Sequence, residues 1–242
     1  MSSEFKPTGA PEVRDAVSYD MREPKDRLRD MVAAEVRDKP FSELMNVSLD
    51  HEGAQLAGHV LLDTLEEQGY GLDDFDAVGA LTAAAVPLAC AMVHAAASRG
   101  QDLDAFVMDF VYPSIKGPSI EGKRVILLDS WLSEKSYVQT SSLVTLRHGN
   151  ELGLDFSIVT SRGAQVVAIA SLVGGVHSPS GEPVASIDVV DPVTDTHTQL
   201  PFVGVFDEYA LRGAADASDS STDDSRTGDS STADSAPADS GQ

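Results

Sequence analysis

The 242-residue sequence predicts an α/β fold: a three-layer α/β/α sandwich on a mostly parallel sheet of four or five strands, plus a small hood. Three observations predict it. Helix-period and strand-like stretches alternate from residue 25 to residue 173. The segment Arg124–Asp129 (RVILLD) is nearly all apolar, as a strand covered on both faces must be. Helical stretches between strands imply parallel βαβ units with right-handed crossovers.

Taken in order, Lys25–Arg37 sets Leu28, Met31, Val32 and Val36 on one helical stripe. Glu52–Gln68 does the same with Leu56, Val60, Leu61 and Leu65, and Gly69 supplies the stop. Asp76–Leu81 reads as a short buried strand, and Pro87–Ser98 (PLACAMVHAAAS) as a small-residue helix with proline near its first turn. Asp104–Tyr112, Arg124–Asp129 and Gln165–Val173 are the second, third and fourth strands. Two readings stand between the third and fourth. The favoured one inserts a β-ribbon at Tyr137–Leu146 before a helix over 150–161. The other runs a helix from Ser136 to Arg147 and a strand from Leu154 to Thr160. Residues 25–50 and 176–212 are expected to form the hood. The run SIDVVDPVTDTHTQLPFVGVF reads as a hairpin around Pro192, which makes Asp188, Asp191, Asp195 and His197 hairpin residues rather than metal ligands. No metal site is expected. Residues 1–24 read as a loosely held arm, 25–213 as the α/β domain, and 214–242, almost all Ser, Asp, Thr, Ala and Gly, as a disordered tail.

Composition excludes some function classes. The 39 acids and 17 bases give a net charge of −22. Phosphate-backbone binding needs clustered cations, so nucleic-acid and anionic-membrane partners are not expected. With 26 Asp against six Lys, the surface suits a concentrated-salt cytoplasm, and scattered carboxylates are mostly solvation. The lone Cys90 rules out an internal disulfide and is expected to be a small core residue. His59 and His94 are expected to be half-buried on helices. Residues 77–97 carry no charge, yet their alanines, Gly79, Pro87 and His94 fit a strand, a turn and a buried helix better than a membrane span.

In an open parallel sheet, ligands bind where strands end and loops lead into helices. Three such places matter: Thr82–Val86, Pro113–Gly122 and Ser130–Ser136. Here the order VGALTAAAVPLACAM, then IEGKRVILLD (Ile120–Asp129), then RGAQVVAIASLV resembles the type I phosphoribosyltransferases, closest to the orotate phosphoribosyltransferases, over about residues 50–175. The resemblance implies a pyrophosphate loop at Thr82, Ala83 and Ala84, a mobile loop carrying Lys116, and Asp129 as the catalytic-site acid that holds the ribose. It also implies a second acid beside Asp129 and a Thr-Thr-Gly-Gly cradle for the 5′-phosphate.

The chain departs from that pattern. Ser130 stands where the second acid would be, and Ser133-Glu134-Lys135-Ser136 where the cradle would be. A cradle needs glycines for close backbone approach and a helix start for the dianion. At about 4 Å and an effective dielectric near 20, Glu134 beside a phosphate would cost about 4 kcal/mol. The expected ligand-binding residues are therefore Thr82, Ala83, Ala84, Lys116, Ser130, Ser133, Lys135 and Ser136. The reading is a non-catalytic relative that binds a nucleotide or another phosphorylated metabolite, or acts in regulation, and is a homodimer. The alternative is an active phosphoribosyltransferase, and only that alternative requires Mg²⁺.

Overall fold

The helices form where the apolar stripes lie: α1 (Pro24–Val36), α2 (Met45–Ser48), α3 (His51–Glu67), α4 (Val86–Ser98) and α5 (Ser157–Thr160). The strands are β1 (Ala77–Ala80), β2 (Asp104–Asp109), β3 (Ser114–Lys116), β4 (Arg124–Ser133), β5 (Thr145–Arg147), β6 (Glu151–Gly153), β7 (Gln165–Gly175), β8 (Ser186–Val190) and β9 (His197–Asp207). A computed structural model describes residues 21–37, 44–109, 114–133, 145–147, 151–153, 157–191 and 194–213, with backbone alone for β5 and β6. Most of the expected arm and all of the acidic tail lie outside the described residues.

Local chemistry explains the helix limits. Pro24 opens α1, where its missing N–H costs nothing, and Leu28, Val32 and Val36 are fully buried four residues apart. Asp50 caps α3 by accepting from the Glu52 and Gly53 amides at 3.0 and 2.9 Å. Gly69 ends it with φ +87°, a left-handed turn closed by the Tyr70 amide on the Leu65 carbonyl. Where α3 crosses α4, a Cβ on Gly58 would meet the Ala91 carbonyl oxygen at 2.3 Å, so only glycine permits that approach.

The strands form one sheet in the order β3-β2-β1-β4-β7-β9-β8-β6-β5. Its centre, β2-β1-β4-β7-β9, is parallel throughout, and antiparallel pairs attach β3, β8 and β5 to their neighbours. The mostly parallel α/β reading holds, with a five-stranded parallel core. Residues 176–212 depart from the expected hood, because β8 and β9 lie in the sheet and β9 is its fifth parallel strand. Val203, Val205 and Phe206 bury under the helices and Phe202 under the other face, so this segment needs cover on both sides.

Helices α1, α3 and α4 cover one face, over Val78, Ala80, Ile126, Leu128 and Ala170. On the other face, Val159 of α5 and Ile120 pack on Leu81, Phe106, Leu127 and Ile169. The expected helix over 150–161 is confined to α5, and Glu151–Gly153 is a strand paired with Thr145–Arg147. That pairing gives the inserted-ribbon reading a strand at its end; residues 137–144 lie outside the described residues. The expected hairpin is present as β8 on β9, with Val190 opposite His197, and Pro192 itself lies outside the described residues.

Candidate functional site

Parallel strand order 2-1-3-4-5 reverses between β1 and β4, and both chain directions leave a crevice at the carboxyl ends there. Thr82 follows β1 at that point. Its Oγ1 donates to Asp129 Oδ1 at 2.8 Å, and the Ser130 amide donates to the same oxygen at 2.7 Å. Asp129 is 5% exposed. Burial pushes its carboxyl up to about 6, against the two hydrogen bonds, which favour the charged form. Ala83 and Ala84 open a 3₁₀ turn that runs into α4. The first N–H groups of such a start have no intrahelical partner, which places positive backbone dipoles beside the carboxylate.

β4 does not stop at Asp129. The expected third strand ends there, with a loop over Ser130–Ser136. Instead β4 continues through Ser130, Trp131, Leu132 and Ser133, paired in parallel with β7 from Trp131↔Val173 to Ser133↔Gly175. The physical reason is visible in the partner. β7 runs on through Gly174 and Gly175, and a Cβ on Gly175 would lie 2.5 Å from the Ser133 Cβ and 2.2 Å from Glu208 Oε2. The glycine lets the two strands and Glu208 close together. Ser130 and Ser133 are consequently buried strand residues, at 2% and 1% exposure.

Of the expected ligand-binding residues, the fold gathers Thr82, Ala83, Ala84 and Ser130 around Asp129. Ser133 lies four residues farther along β4, about 13 Å at ordinary strand rise. Lys116 sits on the edge strand β3, three strands from β4, which is about 14 Å away at ordinary spacing. Its amine is exposed and 3.8 Å from Asp109. Lys135 and Ser136 lie outside the described residues. No metal suits this donor set unaided. One carboxylate, already accepting two hydrogen bonds, stands beside a serine, and no cluster of three His, Cys, Asp or Glu occurs among the described residues. Asp188 instead pairs with His197 at 2.6 Å across the hairpin.

Beyond Ser133 lies a network that composition and periodicity do not reveal. Glu208 is 1% exposed, accepts from Trp131 Nε1 at 3.1 Å and from Arg212 Nε at 3.0 Å. Arg212 donates to the Val36 carbonyl at 2.9 Å and stacks over the Trp131 ring. The Glu-x-x-x-Arg spacing after a strand was its only sequence signal. Cys90 and His94, expected in or near the core, are exposed on α4. A surface helix of small residues buries only the side that meets α3 and the sheet.

No protein-family model matches the chain. It is similar to orotate phosphoribosyltransferases from Streptomyces avermitilis, 37% identical over 139 residues covering 55% of this chain and 66% of that one, and from Streptomyces coelicolor, 36% identical with the same coverage. An orotate phosphoribosyltransferase of Tropheryma whipplei is 34% identical over 139 residues, 55% of this chain and 56% of that one. The chain thus spans just under two thirds of the length of the curated relatives it matches most strongly. Its fold is similar to the Mycobacterium tuberculosis H37Rv orotate phosphoribosyltransferase in complex with 5-phospho-alpha-D-ribosyl 1-diphosphate, with a TM-score of 0.50 at 20% identity over 78% of this chain and 99% of that one. The same enzyme with inorganic phosphate gives a TM-score of 0.51 at 19% identity, over 79% and 92%. No helix among the described residues is long and apolar enough to cross a membrane.

Proposed function

For a chain that is orotate phosphoribosyltransferase-like in sequence and carries the type I phosphoribosyltransferase fold, we propose a non-catalytic role: binding a nucleotide or sugar phosphate at the β1–β4 crevice, in a regulatory capacity. One observation carries this reading. Ser130–Ser133, expected to form a loop toward a 5′-phosphate, is instead the end of β4, paired with β7 and with Ser130 and Ser133 buried, while residues 134–136 lie outside the described residues. The Ser130 amide is already given to Asp129, and successive amides of an extended strand point to opposite sides, so they do not converge on one anion.

What survives is the part that would meet a sugar. The Asp129 carboxylate can accept from a hydroxyl, Thr82 holds it in place, and the helix start at Ala83 and Ala84 favours a negative group. In an active relative Mg²⁺ would bring charge neutralisation to the pyrophosphate. Here the residues do not fit it, and no step of this reading uses it.

The 37% identity to a Streptomyces enzyme and the retained Asp129 favour a second reading, an active transferase. Titration calorimetry with Mg²⁺ and phosphoribosyl pyrophosphate in high salt, followed by a pyrophosphate-release assay with orotate or a purine base, separates the two. The expected result is saturable sugar-phosphate or nucleotide binding, weakened in Asp129→Asn, with no pyrophosphate released. Base-dependent release of pyrophosphate overturns the non-catalytic reading. Failure of every phosphorylated ligand to bind the folded protein overturns the binding reading.

A further inference from the structure

The carboxyl group in the β1–β4 crevice is held asymmetrically. Both hydrogen bonds to Asp129, from the Thr82 hydroxyl and from the Ser130 amide, fall on Oδ1. Oδ2 has no hydrogen-bond partner among the described residues. Nor is it one of the unpartnered polar atoms that the fold seals from solvent, which among the described residues are Ser48 Oγ, Thr64 Oγ1, Ser114 Oγ and His177 Nδ1. One oxygen is engaged from within the protein, and the other keeps a path to solvent.

No counter-charge attends this buried group. Thr82 faces it from the end of β1, Ser130 follows it on β4, and Ser171 pairs with it from β7. None of the three is charged. Among the described residues no Lys, Arg, His, Asp or Glu shifts its proton affinity, which burial raises and the two hydrogen bonds oppose. With two donors already aimed at Oδ1, the carboxyl takes its proton on Oδ2. A ligand hydroxyl is left the same atom, and its bond is stronger to the charged oxygen. Once protonated, Oδ2 has lost that charge and presents a donor to the donor that the ligand brings.

We propose that proton and ligand compete for Asp129 Oδ2, so that binding at the crevice releases a proton and acidification empties the site. This rests on the proposed binding of a nucleotide or sugar phosphate there and adds its regulation by pH. Thr82 is the positioning residue: by bonding Oδ1 it favours the charged carboxylate and so sets the pH at which the site empties.

Calorimetry on the full chain in high salt tests this with the 5′-(methyl phosphate) esters of uridine and adenosine, whose single phosphate charge does not change between pH 5 and pH 8. A carboxyl titrating near 6 predicts binding about tenfold weaker at pH 5 than at pH 8. Runs in buffers of different ionisation enthalpy count the protons: about half a proton should be released per probe at pH 6 and almost none at pH 8. Asp129→Asn should release none and bind equally at both pH values. Thr82→Val removes a bond that favours the charged form, so the midpoint of the affinity profile should move to higher pH, and Thr82→Ser should return it. An affinity indifferent to pH, protons still released by Asp129→Asn, or a midpoint unmoved in Thr82→Val overturns the proposal and leaves the binding reading intact. Failure of both probes to bind at any pH, in a chain that circular dichroism shows to be folded, overturns the binding reading and this inference with it.

Discussion

Burial holds the Asp129 carboxyl at about 6 where an unfolded aspartate titrates near 3.8. The folded state therefore binds the proton more tightly than the unfolded one. The contribution of Asp129 to stability is greatest below about pH 4, falls as pH rises through about 6, and stays at the lower level above that. Asp129→Asn removes the penalty and keeps an acceptor oxygen for Thr82 and the Ser130 amide. It should raise stability by up to about 3 kcal/mol at pH 7.5 and by almost nothing at pH 4. Thermal melts of both proteins at the two pH values check this, and an equal difference at both would refute the linkage. A carboxyl held in a destabilising place is what the proposed ligand contact at Asp129 would require.

At the scale of elements, the decisive feature is the length of β4. Nothing in Trp131-Leu132-Ser133 requires a strand, and nothing forbids one. The outcome rests on β7 offering Val173, Gly174 and Gly175 as partners, and on Glu208 closing over the pair. Glu208 also joins the 208–213 helical turn to α1 through Arg212. Glu208→Ala should cost about 3 kcal/mol, because it removes the acceptor of a buried indole N–H and the counter-charge of a partly buried guanidinium. Chemical denaturation measures it, and a loss under 1 kcal/mol would show that the network is incidental. The α3 start is more local. Asp50→Ala removes both cap acceptances and should cost about 1 kcal/mol by the same measurement, with no effect on ligand binding at Asp129. Asp50 is held below its ordinary pKa chiefly by the Gly53 amide, so acid should erase the cap's contribution as well.

Across the whole molecule, the excess of acids sets the solution behaviour. Several carboxylates are paired, as Asp76 is with Arg124 in a two-pronged contact and Asp104 with Lys123, but 17 bases cannot neutralise 39 acids. Raising KCl from 0.1 to 2 M shortens the screening length from about 10 Å to under 3 Å and should raise the melting temperature. A flat or falling melting curve would show that self-repulsion is not what limits stability.

The amphipathic stripes of α1 and α3, the proline start of α4 and the apolar RVILL run follow from residue order alone, because each is decided within a few turns or one strand of chain. The meeting of Asp129 and Thr82 was legible for a similar reason: strand ends are marked locally, and the crevice follows from strand order. The sheet membership of β8 and β9 and the continuation of β4 were not legible. Each depends on a partner far away in sequence, β7 for both Ser133 and β9, and a residue's own neighbours carry no record of which distant backbone will satisfy its hydrogen bonds. Residue order thus determined the α/β scaffold; tertiary pairing alone decided that the chain after Asp129 would run on as a strand beside β7 rather than turn away into a loop.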